Sequence, residues 1–172
     1  MAKKPSSVNF TNMSAGQSTN STHTSSAHAT IRVLMTGAGA PGAAGILKCL
    51  SQDERIEVLA ADANEEAVGH YLCKHFIRIP RADDPLFTAT LLSICREMNI
   101  HVILPLVTNE LVHFASHTNE FEMAGTRLLV TPLASLEIAI NKSRLYEFLQ
   151  WRGIPVPEFR IVETITQFQS AI

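Results

Sequence analysis

The stretch LMTGAGAPGAAGILKCL, Leu34 to Leu50, decides the fold. It begins inside an apolar run, Ile31 to Met35, long enough for a short buried strand and too short for a helix. Glycines follow at 37, 39, 42 and 45. Behind them Ile46, Leu47 and Leu50 fall on one side of a helix. A chain that turns from strand to helix within a few residues uses glycine, because the backbone there takes left-handed angles or passes close to a neighbour. The stretch therefore reads as strand, glycine turn, helix.

The pattern repeats outward from this unit. IEVLAAD (56–62) is a second buried strand ending at Asp62. NEEAVGHYL (64–72) reads as a helix with Asn64 as N-cap and Glu65 and Glu66 in its first turn. HFIRIP (75–80) is a strand closed by Pro80. DDPLFTATLLSICREMN (83–99) is a helix with Asp84 as N-cap and Pro85 at its first position. HVILPL (101–106) is a strand ended by Pro105. TNELVHFASHTNEFEMAG (108–125) reads as one helix with Gly125 near its C-cap. RLLVT (127–131) is the next strand. Two short helices follow, PLASLEIAI and NKSRLYEFLQWRG, then FRIVE (159–163) as a strand and TITQFQSAI as a helix.

Strands that are apolar throughout are buried on both faces, and strands alternating with helices form a parallel sheet. The fold class is therefore α/β: a small doubly wound parallel sheet, Rossmann-like, over residues 30–132. A helical C-terminal extension occupies 133–172. Residues 1–29 are dominated by Ser, Thr and Asn and read as a disordered tail, since they cannot bury enough apolar surface to offset ordering entropy. Ligands in such sheets bind outside the carboxyl ends of the strands, where the strand order switches. That edge holds the Gly37 loop, Asp62 and the segment after Leu106.

Composition narrows the partners. Hydrophobic residues make up 46% of the 172, and the net charge of -2 gives no reason to expect nucleic acid or an anionic membrane. No apolar run approaches the ~18 residues of a spanning helix, and no signal-peptide core stands near the start. Cys49, Cys73 and Cys95 lie far apart and read as buried, reduced thiols of a cytoplasmic protein.

Three groups of residues carry candidate chemistry. Gly37, Gly39 and Gly42 satisfy G-x-G-x-x-G, with Asp62 about 20 residues on, as a dinucleotide site expects. Pro41 removes one N–H that such a site would use. Gly39, Gly42 and Gly45 fit the spacing of short-chain dehydrogenases, but the Tyr-x-x-x-Lys pair those enzymes need is absent: Tyr71 has His75 in the Lys place and Tyr146 has Gln150. An NAD(P)-binding oxidoreductase module is thus one alternative, and a non-catalytic protein-binding scaffold another. Glu110, His113 and His117 share a helix face, which reads as a polar face rather than a metal centre. In NKSRLYEFLQWRGIPVPEFRIV (141–162), Lys142 stands at a helix start, where a cation opposes the macrodipole. A phosphate nearby would explain it; so would simple exposure, and the physics leaves both open.

The same stretch resembles the DK-x-x-x-x-x-x-L-x-x-x-G-I-P-x-P segment that opens the ATP-grasp region of carboxylate–amine ligases, most nearly the carbamoyl-phosphate-synthase-like variant. IRVLMTGAGAPGAAGILKCL and VLAADAN resemble the first two strands of their N-terminal domain. VILPLVTNELVHFA resembles their V-I-P-T-x-x-x-E-L-x-x-L-A segment, with Leu106 where Thr is common. Together these stretches span Ile31 to the C-terminus. The resemblance implies a pre-ATP-grasp domain of an ATP-dependent ligase that works through an acyl-phosphate. It implies ATP and Mg2+ held mainly by later lobes, supplied in cis or as a split subunit, and a small carboxylate or amine as substrate. Carried onto this chain, it makes Lys142 a nucleotide contact, with Asn141 in place of the usual Asp. It makes Gly39, Gly42 and Glu110 substrate contacts. It implies no catalytic and no metal-binding residue within these 172 positions, and a chain inactive alone because the ATP-binding lobes would lie past Ile172.

Overall fold

The computed structural model describes residues 29–171. The tail read at residues 1–29 lies outside the described residues, apart from Ala29. The elements, in order, are β1 (Ile31–Thr36), α1 (Ala43–Leu50), β2 (Ile56–Asp62), α2 (Val68–Leu72), β3 (His75–Arg78), α3 (Phe87–Glu97), β4 (Val102–Pro105), α4 (Thr108–Ser116), α5 (Thr118–Met123), β5 (Arg127–Leu128), α6 (Leu133–Ala139), α7 (Lys142–Trp151) and α8 (Ile165–Ala171).

Five strands form one sheet in the order β3-β2-β1-β4-β5, every pair parallel. This is a doubly wound sheet, as the alternation of strands and helices requires. Side chains alternate across it. Leu34 and Leu59 face a cluster with Phe87, Leu91 and Cys95 of α3, Phe114 of α4 and Phe121 of α5. Met35 and Ala60 face the other way, onto Ala43 and Leu47 of α1. Each large side chain in these layers contributes roughly 1.5–3 kcal/mol on burial. Phe87, Phe114 and Phe121 meet edge-on in series, with ring centroids 5.6 Å apart at each step, which ties α3, α4 and α5 together.

The chain winds outward from β1 to β3, then crosses to the far side of β1 to lay down β4. The crevice where winding reverses therefore opens between the carboxyl ends of β1 and β4. Thr36 pairs with Pro105 at this edge, and the Leu106 amide donates to the Thr36 carbonyl at 3.2 Å.

Several local expectations shift. The second helix begins at Val68, not after Asn64: the Asn64 side chain instead accepts from the Glu66 amide and caps a turn. Asp84 likewise accepts from the Leu86 amide, in a turn that leads into α3 at Phe87. The helix expected over 108–125 breaks at His117. There the Thr118 hydroxyl donates to the carbonyls of Phe114 and Ala115, competing with the backbone for them. Residues 159–163 form no strand, because no neighbouring strand pairs with their backbone. Cys95 is buried, and burial pushes its thiol up to about 11, whereas Cys49 is exposed on the outer side of α1.

Among the described residues, no helix is long and apolar enough to cross a membrane.

Candidate functional site

A cleft of about 590 Å³ opens at the crevice between β1 and β4. Gly37 and Asp62 supply one wall, from the ends of β1 and β2. The segment after β3, Pro80 to Asp83, supplies a second. Val107 to His113, the start of α4, supplies a third, and Ile140 at the end of α6 closes one side.

The glycine turn shapes this cleft by letting backbones meet. Gly37 has φ +69, and a Cβ there would collide with the side chain of Val107, the residue just before α4. Any larger residue would push the two strand ends apart.

Glu110 is the central acid. It lies on the inward face of α4, one turn before Phe114, so the residue that anchors the helix also draws the carboxyl under cover. Its Oε2 accepts from the Thr36 hydroxyl at 2.6 Å, and Thr36 is itself fully buried. Burial pushes the Glu110 carboxyl up to about 7; the Thr36 hydroxyl works against that shift, and the Asp62 charge adds to it. A carboxyl poised there can exchange a proton near neutral pH.

Asp62 has a different task. One oxygen accepts from the Gly39 amide at 2.7 Å and the other from the Asn64 amide at 2.8 Å. It thus ties the glycine turn to the end of β2. The amides of Ala38, Ala40 and Ala43 donate to Ala61, Gly37 and Ala40 carbonyls, and Pro41 has no N–H. Four amides of the turn are therefore spent internally. This arrangement does not favour a dinucleotide, whose pyrophosphate needs those amides and whose ribose needs the acidic residue.

Of the residues expected to act, the structure brings Glu110 into the cleft. Gly39 and Gly42 lie on the turn beside it, off the cleft wall; Gly42, at φ +91, caps α1. Lys142 is exposed at the first position of α7, two residues past Ile140 and outside the cleft lining. Its helix is capped by Asn141, whose Oδ1 accepts from the Ser143 and Arg144 amides. His113 lines the cleft and packs edge-on against Phe87, while His117 ends α4 with Nδ1 against the His113 carbonyl. Sequence reasoning passed over Thr36, Arg81 and Asp83. Thr36 had one signal: a hydroxyl closing an otherwise apolar strand at the ligand-binding edge.

Among the described residues, no group of three or more His, Cys, Asp or Glu is placed to hold a metal ion, and Lys142, the residue assigned to a nucleotide, is exposed.

The sheet, its strand order and this cleft define a Rossmann-like domain of the pre-ATP-grasp type that the sequence resembles. Residues 33–129 match the family model described as the PylC-like, N-terminal domain, and the chain belongs to that family. The fold is shared with solved structures of larger proteins. One is an N5-carboxyaminoimidazole synthetase from Staphylococcus aureus complexed with ADP, with TM-score 0.59 and 16% identity over 84% of this chain and 36% of that one. Another is the biotin carboxylase domain of a single-chain bacterial carboxylase, with TM-score 0.56 and 21% identity over 83% of this chain and 34% of that one. A third is a single-chain, multi-domain long-chain acyl-CoA carboxylase, with TM-score 0.55 and 16% identity over 83% of this chain and 14% of that one. The chain spans about a third of the length of the first two and less of the third. No curated protein sequence matches it.

Proposed function

We propose that this chain is the substrate-side domain of an ATP-dependent carboxylate–amine ligase, residues 30–132 forming the pre-ATP-grasp unit and 133–172 leading toward the ATP-binding lobes. The observation that carries the reading is the cleft at the strand-order switch, walled by a nearly buried carboxyl at Glu110 and by Gly37 of the glycine turn. A fixed acid in a concave pocket suits a small polar substrate better than a protein surface. Gly39 and Gly42 keep the turn in place beside it, and Glu110 touches the substrate. ATP and Mg2+ belong to the later lobes, with Lys142 as this chain's contribution, and the assembled enzyme works in the cytoplasm.

Three measurements test this. Amide NMR of the chain, titrated with a panel of small amines and carboxylates, is expected to move Gly37, Val107 and Glu110. A panel that moves none of them refutes the substrate site. The purified chain is expected to show no ATP turnover; turnover abolished by Lys142→Ala would overturn the claim that the chain alone is inactive. Titration with NADH is expected to show no micromolar binding, because the turn amides and Asp62 are already engaged.

A further inference from the structure

We infer that Glu110 is a proton-exchanging gate on the cleft: an organic cation, ammonium or amidinium, that enters displaces a proton from this carboxyl to solvent. The inference rests on the reading of the cleft as a substrate site and adds what the site selects and how pH controls it.

The geometry gives Glu110 one committed oxygen and one open one. Oε2 is held by Thr36 at 2.6 Å. Every fully enclosed side-chain oxygen or nitrogen among the described residues has a hydrogen-bond partner. Among the described residues Oε1 has no protein donor, so it is not enclosed, and Glu110 lines the cleft. The residue is otherwise only 7% exposed, so water cannot solvate the carboxylate fully.

Among the described residues, no cationic side chain is paired with it. From β2, Asp62 adds a second negative charge to the same wall. From the segment after β3, Arg81 lines the cleft, but its Nε donates to Asp83 at 3.2 Å. On α4 itself His113 follows one turn on. The facing ends of β1 and β4 bring Thr36 and Val107, which carry no charge, and Glu137 of α6 and Lys142 of α7 lie outside the lining. An incoming cation is therefore the missing partner of Oε1. The balance is simple: carboxylic acid plus ammonium becomes a carboxylate–ammonium pair, and one proton passes to the buffer. No covalent bond to the ligand forms.

With a midpoint of about 7 in the free protein, cation affinity is expected to be about tenfold higher at pH 8 than at pH 6. The test is carboxyl-carbon NMR of the whole chain, titrated from pH 5 to 9 with and without saturating n-butylammonium, with butyrate as control. The expected result is a Glu110 midpoint lowered by at least one pH unit by n-butylammonium and unmoved by butyrate. In Glu110→Gln, any remaining n-butylammonium affinity is expected to be independent of pH between 6 and 8. If n-butylammonium moves the Gly37 and Val107 amides while the Glu110 midpoint stays put, the gate is wrong and the substrate site survives. If n-butylammonium leaves those amides unmoved although other panel members shift them, the gate is again wrong. If no member shifts them, the substrate site falls and the gate with it.

Discussion

At the scale of single residues, the molecule turns on the Thr36–Glu110 pair. A carboxyl raised from 4.5 to about 7 binds more protons folded than unfolded between those values, so it lowers stability as pH rises through that window. Glu110→Gln removes the charge and keeps the shape. It is expected to leave stability unchanged near pH 4 and to raise it by about 3 kcal/mol at pH 9, read from urea midpoints at both pH values. Thr36→Val is expected to do the reverse at pH 9, costing about 1–3 kcal/mol because Oε2 loses its donor; Thr36→Ser should restore most of that loss. The acid was legible from sequence because Glu110 matches the Glu of the V-I-P-T-x-x-x-E segment that VILPLVTNELVHFA resembles, with Leu106 where Thr is common. Its hydroxyl partner was not: Thr36 and Glu110 stand 74 residues apart, and only the β1–β4 pairing brings them together.

At the scale of elements, the large periodic pieces could be read and their ends could not. β1, β2 and α3 announce themselves through unbroken or helically spaced apolar residues. Helix starts were misplaced at Asn64 and Asp84 because a polar side chain that accepts from the amide two residues on serves a turn as well as a cap. The split between α4 and α5 depends on Thr118 reaching back to two carbonyls, which no periodicity encodes. Asn141 is the reverse case, a polar side chain that does cap a helix, its Oδ1 accepting from the Ser143 and Arg144 amides. Asn141→Ala is expected to cost about 1 kcal/mol and to speed hydrogen exchange in the first turn of α7 while leaving the amides of β1 unchanged.

At the scale of the whole molecule, the parallel α/β sheet followed from the alternation of apolar strands and helices, while its strand order and the distribution of exposed apolar surface did not. The C-terminal stretch leaves Trp151 75%, Ile165 79% and Phe168 56% exposed. Exposed apolar side chains of this size bind apolar-surface dyes where they adjoin. The chain is expected to enhance the fluorescence of an apolar-surface dye, and Trp151→Gln with Phe168→Gln is expected to reduce it; an unchanged signal would place the dye elsewhere. The glycine turn has a further consequence at this scale. Because Asp62 is joined to the sheet beside the Gly39 amide, it acts as a tethered competitor for any free anion. Its effective concentration is on the order of millimolar or above, so phosphate at ordinary cellular levels must displace a carboxylate that never diffuses away. The turn is in that sense self-inhibited, and a protein designer wishing to make it grip phosphate would begin by replacing Asp62, not by adding glycine.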